Sequence, residues 1–209
     1  SGKTTLAGWL LTTIPDGKRI FTIENGSREL ALVREKDGKV TNSVIHTLTR
    51  YSENEKQNID QDMLLDMALR FNPEIICVGE MRSSEAYTAQ ESARTGHTVL
   101  TTIHSNSCES TYSRMRTLCK RKYDMDDEVL MDLVTEAFPI VVFTKQLENR
   151  KRKLMEIMEC EITADGKRKF NPLYRYEITE NRMEGDRFII NGTHKKVCGI
   201  SESLKKRFL

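Results

Sequence analysis

Ile76-Cys77-Val78-Gly79-Glu80-Met81-Arg82 is a short β-rich run that ends on an acid and an arginine. Its apolar residues, with Ile75 before them, are continuous rather than alternating, which predicts a strand buried on both faces near the centre of a sheet. An acid at the carboxyl end of such a strand stands where open α/β sheets bind their ligands. The chain opens with a second informative stretch, Ser1-Gly2-Lys3-Thr4-Thr5. Gly-Lys-Thr at a helix start offers backbone N–H groups, an ammonium and a hydroxyl to a polyphosphate and its Mg²⁺. The two stretches predict an enzyme that hydrolyses a nucleoside triphosphate, with the amino end of the first helix and the Glu80 strand end converging on one site.

Working outward, Thr4 to about Ile14 reads as a helix with Leu6, Trp9, Leu10 and Ile14 on one side, stopped by Pro15-Asp16-Gly17. Arg19–Glu24 reads as a strand and Asn25-Gly26 as a turn. Glu29–Glu35 and Val40–Leu48 flank Lys36-Asp37-Gly38-Lys39 and are expected to pair as a hairpin. Asp60 caps a helix carrying Met63, Leu64, Met67, Ala68 and Phe71, closed by Pro73. A buried strand over Glu74–Gly79, a helix over Ser84–Arg94 and a strand over Thr98–Ile103 follow. Helices from Ser107 or Glu109 to about Lys120 and from Asp126/Asp127 to Ala137 lead into a strand at Pro139–Phe143. This alternation predicts an α/β core over residues 1–144, a mostly parallel sheet with helices on both faces. Residues 145–209 form a β-rich extension, with strands at Lys151–Ile162, Arg168–Glu177 and Asp186–Ile190, turns at Asp165-Gly166 and Asn191-Gly192, and a short helix at Ser201–Phe208.

Composition narrows the class. With 209 residues the chain can bury a sizeable core, and 38% hydrophobic against 31% charged residues describes a globular protein with a well-solvated surface. A net charge of +2 gives no global field for nucleic acid or anionic lipid. The basic clusters Lys145–Lys153 and Lys195-Lys196 with Lys205-Lys206-Arg207 are read as solvated strand ends and a charged tail rather than a surface for an acidic partner. The apolar run Ile140–Phe143 is far too short for a bilayer span, and no secretory leader is expected. Five cysteines without Cys-x-x-Cys spacing read as reduced thiols of a cytosolic protein rather than a disulfide frame or zinc site, and the four histidines lack metal-ligand spacing too.

The chemistry follows from side-chain type. Lys3 suits the β- and γ-phosphates, Thr4 the Mg²⁺, and Thr5 the neighbourhood of the α-phosphate. The chain begins at the last four residues of such a loop, so a longer parent protein and a half-built site are both open. Glu80 can orient or deprotonate water. Thr95-Gly-His97-Thr98-Val-Leu-Thr-Thr-Ile103-His104 then brings His104 to the end of a neighbouring strand, where a γ-phosphate contact is feasible. His97 sits at the opposite end.

Taken in order, Gly2-Lys-Thr-Thr5, Glu24-Asn-Gly-Ser-Arg-Glu29, Val78-Gly-Glu-Met-Arg82, Thr95-Gly-His97 and Thr102-Ile-His104-Ser-Asn-Ser107 resemble the type II/type IV secretion and pilus-assembly ATPases. The branch they most resemble drives Tad/Flp pilus assembly, and the match covers nearly the whole chain as that family's C-terminal motor domain. The resemblance implies a RecA-like P-loop NTPase core, ATP and Mg²⁺ as cofactors, and nucleotide contacts from Gly2, Lys3, Thr4 and Thr5. It implies Glu80 as the Walker B acid and His104 as the γ-phosphate sensor. The family's acidic box matches Glu24 and Glu29. Asn25 replaces its second acid and Glu29 falls one residue late, which leaves open which glutamate faces the metal. Arg50, in Thr47-Leu-Thr-Arg50-Tyr51, resembles the family arginine that reaches phosphate within a subunit or across an interface; Arg82 and Arg70 are weaker candidates. The family implies a homo-oligomer, a hexamer, working in the cytoplasm at the inner face of the cell membrane on an inner-membrane pilus or secretion platform protein. No nucleic acid is expected. A RecA-like nucleic-acid translocase would call for a basic, aromatic-lined groove, against the near-neutral charge and 7% aromatic content. A non-hydrolysing ring module is the third reading.

Overall fold

The computed structural model describes residues 2–207. In chain order the elements are α1 (Lys3–Thr12), β1 (Arg19–Glu24), β2 (Glu35–Lys36), β3 (Lys39–Val40), β4 (Ser43–Leu48), a 3₁₀ turn (Glu55–Gln57), α2 (Gln61–Arg70), β5 (Ile75–Val78), α3 (Glu85–Arg94) and β6 (Thr98–Thr101). They continue with α4 (Cys108–Cys119), α5 (Asp127–Ala137), β7 (Ile140–Gln146), β8 (Arg152–Ile162), β9 (Arg168–Glu184), β10 (Arg187–Lys196) and α6 (Glu202–Lys206). The chain divides into two compact units. One holds Lys3–His104 and Arg114–Ala137; the other holds Gly2, Ser105–Ser113 and residues 138–207.

In the first unit β4-β1-β5-β6 form a parallel sheet in that order. Register pairs Ile23 with Val78, and Val78 with Thr101. Glu24, Gly79 and Thr102 therefore leave the sheet side by side at its carboxyl edge. Adjacent strand residues point to opposite faces, and each face is covered. Ile20, Ile75 and Cys77 cluster with Leu11 of α1 and with Leu30 and Leu32. On the other face the ring of Phe21 lies 5.8 Å from that of Phe71, the residue that ends α2. Asp60 caps α2 as expected, its Oδ1 accepting the Met63 N–H at 2.8 Å.

Two local expectations are corrected in this unit. The first helix turns a different side inward from the expected Leu6, Trp9 and Leu10: Ala7 and Leu11 are buried, Ile14 packs against the Leu11 cluster as expected, and Trp9 is 62% exposed. Small residues let this side approach, since a Cβ on Gly8 would already touch Leu30 Cδ2 at 3.4 Å. The hairpin shrinks to β2 and β3 around Asp37-Gly38, both at positive φ. Residues 29–34 form no strand because side chains take their backbone groups. Glu24 accepts the Glu29 and Leu30 N–H groups, while Asn42 accepts from Arg34 and donates to the Leu32 carbonyl. β4 pairs parallel with β1 instead.

The second unit is an antiparallel sheet, β10-β9-β8-β7. The strand expected at Pro139–Phe143 belongs here as β7, paired from Ile140 with Glu159 to Gln146 with Arg152. Leu147, Tyr176 and Ile190 form a core with Met155 against them. Asn191-Gly192 is a bulge inside β10, not a turn; the chain reverses at Gly185, φ 58°. A Cβ on Gly192 would lie 2.3 Å from the Glu177 carbonyl oxygen, so close approach is what requires glycine there. Among the described residues no helix is long and apolar enough to cross a membrane.

Candidate active site

The carboxyl edge of the parallel sheet is assembled around Gly79. Its N–H donates to the Ile23 carbonyl at 2.8 Å, and its own carbonyl accepts the Thr102 hydroxyl at 2.7 Å. A Cβ here would stand 3.4 Å from the Ile23 oxygen and 3.5 Å from Glu24 Cγ, so glycine lets the Glu24 side chain lie against the strand end. Glu24 and Glu80 thus leave adjacent strands.

Glu80 is ringed by basic side chains. Arg82 Nη2 donates to Oε2 at 2.5 Å, and His104 Nε2 lies 2.9 Å from Oε1 without the alignment of a hydrogen bond. Burial opposes the charged form. The hydrogen bond and charge of Arg82, then the charges of His104 and Lys3, outweigh it and hold the carboxyl below its ordinary range. The Lys3 ammonium is therefore near enough to act on this carboxylate. A carboxylate so held is a weak base, better fitted to orienting water and charge than to keeping a proton at neutral pH.

Glu24 is buried, 4% exposed. Its Oε1 accepts the N–H groups of Glu29 (2.7 Å) and Leu30 (3.0 Å), whereas Oε2 has no hydrogen bond among the described residues. Of the two box glutamates, then, Glu24 turns its carboxylate inward, and Glu29 is exposed and contributes its backbone. Asn25 keeps an oxygen for its neighbour, accepting the Thr49 hydroxyl at 2.6 Å.

Gly2, at φ 90°, is in a conformation glycine adopts readily. Lys3, Thr4 and Thr5 form the first turn of α1, Thr4 half-buried and Thr5 exposed. That turn contains no acid, so its N–H groups and dipole favour an anion. Arg50 follows Thr49, whose N–H donates to the Glu24 carbonyl, and pairs its backbone with Ile59. Its side chain is exposed and makes no hydrogen bond or ion pair among the described residues. The structure therefore gathers Lys3, Glu24, Glu80, Arg82 and His104, and leaves the Glu29 carboxylate and the Arg50 guanidinium outside that cluster. Arg70 is a helix-end charge in the last turn of α2.

Sequence reading passed over His46. On β4 it faces Thr22, its Nδ1 2.8 Å from Thr22 Oγ1 and 4.0 Å from Glu24 Oε2. Burial, then the charge of Arg28, pushes its pKa down, so it is neutral at neutral pH. It was legible only through the pairing of β4 with β1. Cys77 is no nucleophile: burial, then the Glu24 charge, pushes its thiol up to about 12.

The opposite edge of the same sheet differs. A cleft of about 460 Å³ there is lined by Arg19, Glu74 and His97 among others. Its charged groups have partners: Arg19 donates to the Phe71 carbonyl at 2.7 Å, Glu74 accepts the Arg19 N–H at 2.8 Å, and His97 Nδ1 meets the Pro73 carbonyl at 2.8 Å.

Among the described residues no group of three His, Cys, Asp or Glu could hold a metal unaided. The carboxyl edge does fit Mg²⁺ delivered with a triphosphate. Glu24 Oε2 and Glu80 Oε1 are buried oxygens without hydrogen bonds, the hard donors that Mg²⁺ or its waters prefer, and Thr4 supplies a hydroxyl beside Lys3.

The comparisons point the same way. VirB11 of Rhizobium radiobacter is 27% identical over 175 residues, covering 81% of this chain and 47% of that protein. The type IV secretion system protein VirB11 of Bartonella quintana is 29% identical over 168 residues, 75% of this chain and 43% of its own length. The chain spans about half the length of the curated relatives it matches. Among solved structures, the VirB11 ATPase from the Brucella suis type IV secretion system, in complex with sulphate, matches with a TM-score of 0.63 at 26% identity, over 76% of this chain and 45% of that one. The pilus retraction motor PilT with bound ADP matches with a TM-score of 0.59 at 25% identity, over 79% and 46%. The family model for type II/IV secretion system proteins matches residues 1–194, and the chain belongs to that family of secretion ATPases.

Proposed function

We propose that this chain is the ATP-hydrolysing motor domain of a pilus-assembly or protein-secretion machine. It works with Mg²⁺ in a homo-oligomer, a hexamer, in the cytoplasm at the inner face of the cell membrane, against an inner-membrane platform protein. The parallel-sheet unit, Lys3–His104 with Arg114–Ala137, serves as its RecA-like core, in place of the expected boundary at residue 144, and the antiparallel unit as an extension of the same domain. The observation that carries this reading is the Glu80 carboxylate at a parallel-sheet edge, held ionised by Arg82, His104 and Lys3.

Mg²⁺-ATP supplies the phosphoanhydride bond to be cleaved and the divalent charge on its phosphates. Lys3 and the N–H groups of the first turn of α1 bind the β- and γ-phosphates, with Gly2 giving the backbone room and Thr5 near the α-phosphate. Thr4, with the free oxygens of Glu24 and Glu80, holds the metal or its waters. Glu80, ionised at neutral pH, orients the attacking water. His104 meets the γ-phosphate, Arg82 balances the Glu80 charge beside the nucleotide, and the exposed Arg50 reaches phosphate within a subunit or across an interface. Glu29 fixes Glu24 through its backbone.

The test is titration with Mg²⁺-ATP together with phosphate release, for the wild-type chain and for Lys3→Ala. Saturable binding that weakens about ten- to a hundredfold in Lys3→Ala is expected from loss of a charge-assisted contact. Equal affinity in the two would overturn the site. Phosphate release per subunit that stays high and flat on dilution to monomer would overturn the shared, oligomeric site.

A further inference from the structure

We propose that Gln61 and Arg121 are the positioning residues of Glu80, two struts that fix the loop carrying the carboxylate. The proposal rests on the reading of Glu80 as the acid that orients the attacking water.

The loop needs struts because the sheet stops short of it. β5 ends at Val78, and the last backbone bonds to neighbouring strands are made by Gly79 and by Met81, whose N–H donates to the Thr102 carbonyl at 2.9 Å. Among the described residues, the carbonyls of Glu80 and Arg82 have no backbone partner on a neighbouring strand. Each is met by a side chain from elsewhere in the fold: Gln61 Nε2 donates to the Glu80 carbonyl at 3.0 Å, and Arg121 Nη1 to the Arg82 carbonyl at 3.1 Å. The loop's own N–H groups are held locally, Arg82 and Ser83 both donating to Glu85 Oε1. Gln61 is buried, and it is the first residue of α2.

The two struts are also tied to each other. Their next neighbours, Asp62 and Lys122, form an ion pair of 2.8 Å. Asp62 further accepts the hydroxyls of Ser84 (3.1 Å) and Thr88 (2.5 Å), which carries the brace to the loop's far end and into α3. Two consecutive pairs, 61–62 and 121–122, thus each give one member to the loop and one to the cross-brace. A group that must aim at a water benefits from this, since a loosely held carboxylate loses orientation before it loses charge.

Gln61→Met keeps the length and removes the donor; Gln61→Glu puts an acceptor against the carbonyl; Arg121→Met removes the second donor at an exposed position. Amide hydrogen exchange at Met81, Arg82 and Ser83 should rise about tenfold in Gln61→Met, about one hydrogen bond's worth, and more in Gln61→Glu. ATP turnover should show kcat falling in the same order while KM for ATP stays within about twofold. Unchanged exchange in both Gln61→Met and Arg121→Met would overturn the struts. An order in which Glu is better tolerated than Met, or loss spread equally over kcat, KM and melting temperature, would make the role packing alone and overturn positioning. A wild-type chain that binds Mg²⁺-ATP without turnover would remove the catalytic reading beneath the proposal, and the exchange data would still report on the loop.

Discussion

The two ends of β6 each carry a histidine, and they do opposite things. His97, at the amino edge, gives Nδ1 to the Pro73 carbonyl in a cleft where Arg19 and Glu74 are also partnered. His104, at the carboxyl edge, faces the Glu80 carboxylate while most of its side chain stays open to solvent. At the amino edge Arg19, Glu74 and His97 Nδ1 each have a hydrogen-bond partner. Among the described residues, the carboxyl edge keeps two buried carboxylate oxygens, Glu24 Oε2 and Glu80 Oε1, without a hydrogen bond. Buried acceptors left unmatched cost stability; among the described residues five buried side-chain polar atoms lack a hydrogen bond, and these two are carboxylate oxygens leaving adjacent strands at one edge, which suits a ligand site.

The hardest blow to that contrast comes from Glu80→Gln. The amide keeps the size but loses the charge that orients water and complements Lys3. Phosphate release should fall by about a hundredfold or more, with ATP still bound. Turnover within about threefold of wild type would place the decisive acid elsewhere and erase the difference between the edges.

Arg82→Gln sharpens the same comparison electrostatically. Burial already pushes the Glu80 carboxyl up, and Arg82 is the largest group opposing it. Removing it should move the Glu80 titration, followed by carboxyl ¹³C NMR, above the ordinary glutamate value of about 4.3. The sign for stability follows. In the wild type the lowered pKa contributes stability that is present above the unfolded value and is lost as pH falls through the folded one. In Arg82→Gln that contribution should vanish or reverse, and the acid limb of the rate should move to higher pH. An unmoved titration would mean that His104 and Lys3 suffice.

How much of this was legible depended on whether the cause was local. Asp60 capping α2, the turn at Asp37-Gly38 and the buried run Ile75–Val78 follow from neighbours within a few residues, and the sequence carries their signals openly. That Lys3, Glu80 and His104 meet at one edge was legible from their places at a helix start and at the carboxyl ends of neighbouring strands. The struts were not. Gln61 and Arg121 lie 19 and 39 residues from the carbonyls they hold, and neither residue type announces such a partner. His46 was hidden for a related reason. Expecting a long hairpin assigned β4 to the wrong neighbour, and only its parallel pairing with β1 sets His46 opposite Thr22 and near Glu24. The inward side of α1 was misread because close approach favours Ala7 and Gly8, whereas the eye follows Trp9.

The smallest effect is expected at the amino edge, and it is the control for all the rest. The Pro73 carbonyl can only accept, so His97 Nδ1 carries the proton in their 2.8 Å contact. His97→Ala leaves that carbonyl unpaired and should cost about 1–2 kcal/mol, read as a lower urea midpoint with an unchanged slope. His97→Asn offers an amide donor near the same position and should recover part of the loss. Neither should change kcat per folded molecule, because nothing at this edge touches the Glu80 cluster through a hydrogen bond or ion pair among the described residues. If His97→Ala instead lost turnover at full stability, the amino edge would have to take part in the ATPase cycle. The satisfied hydrogen bond would then mark one position of a moving part, and the contrast between the two histidines would be one of timing.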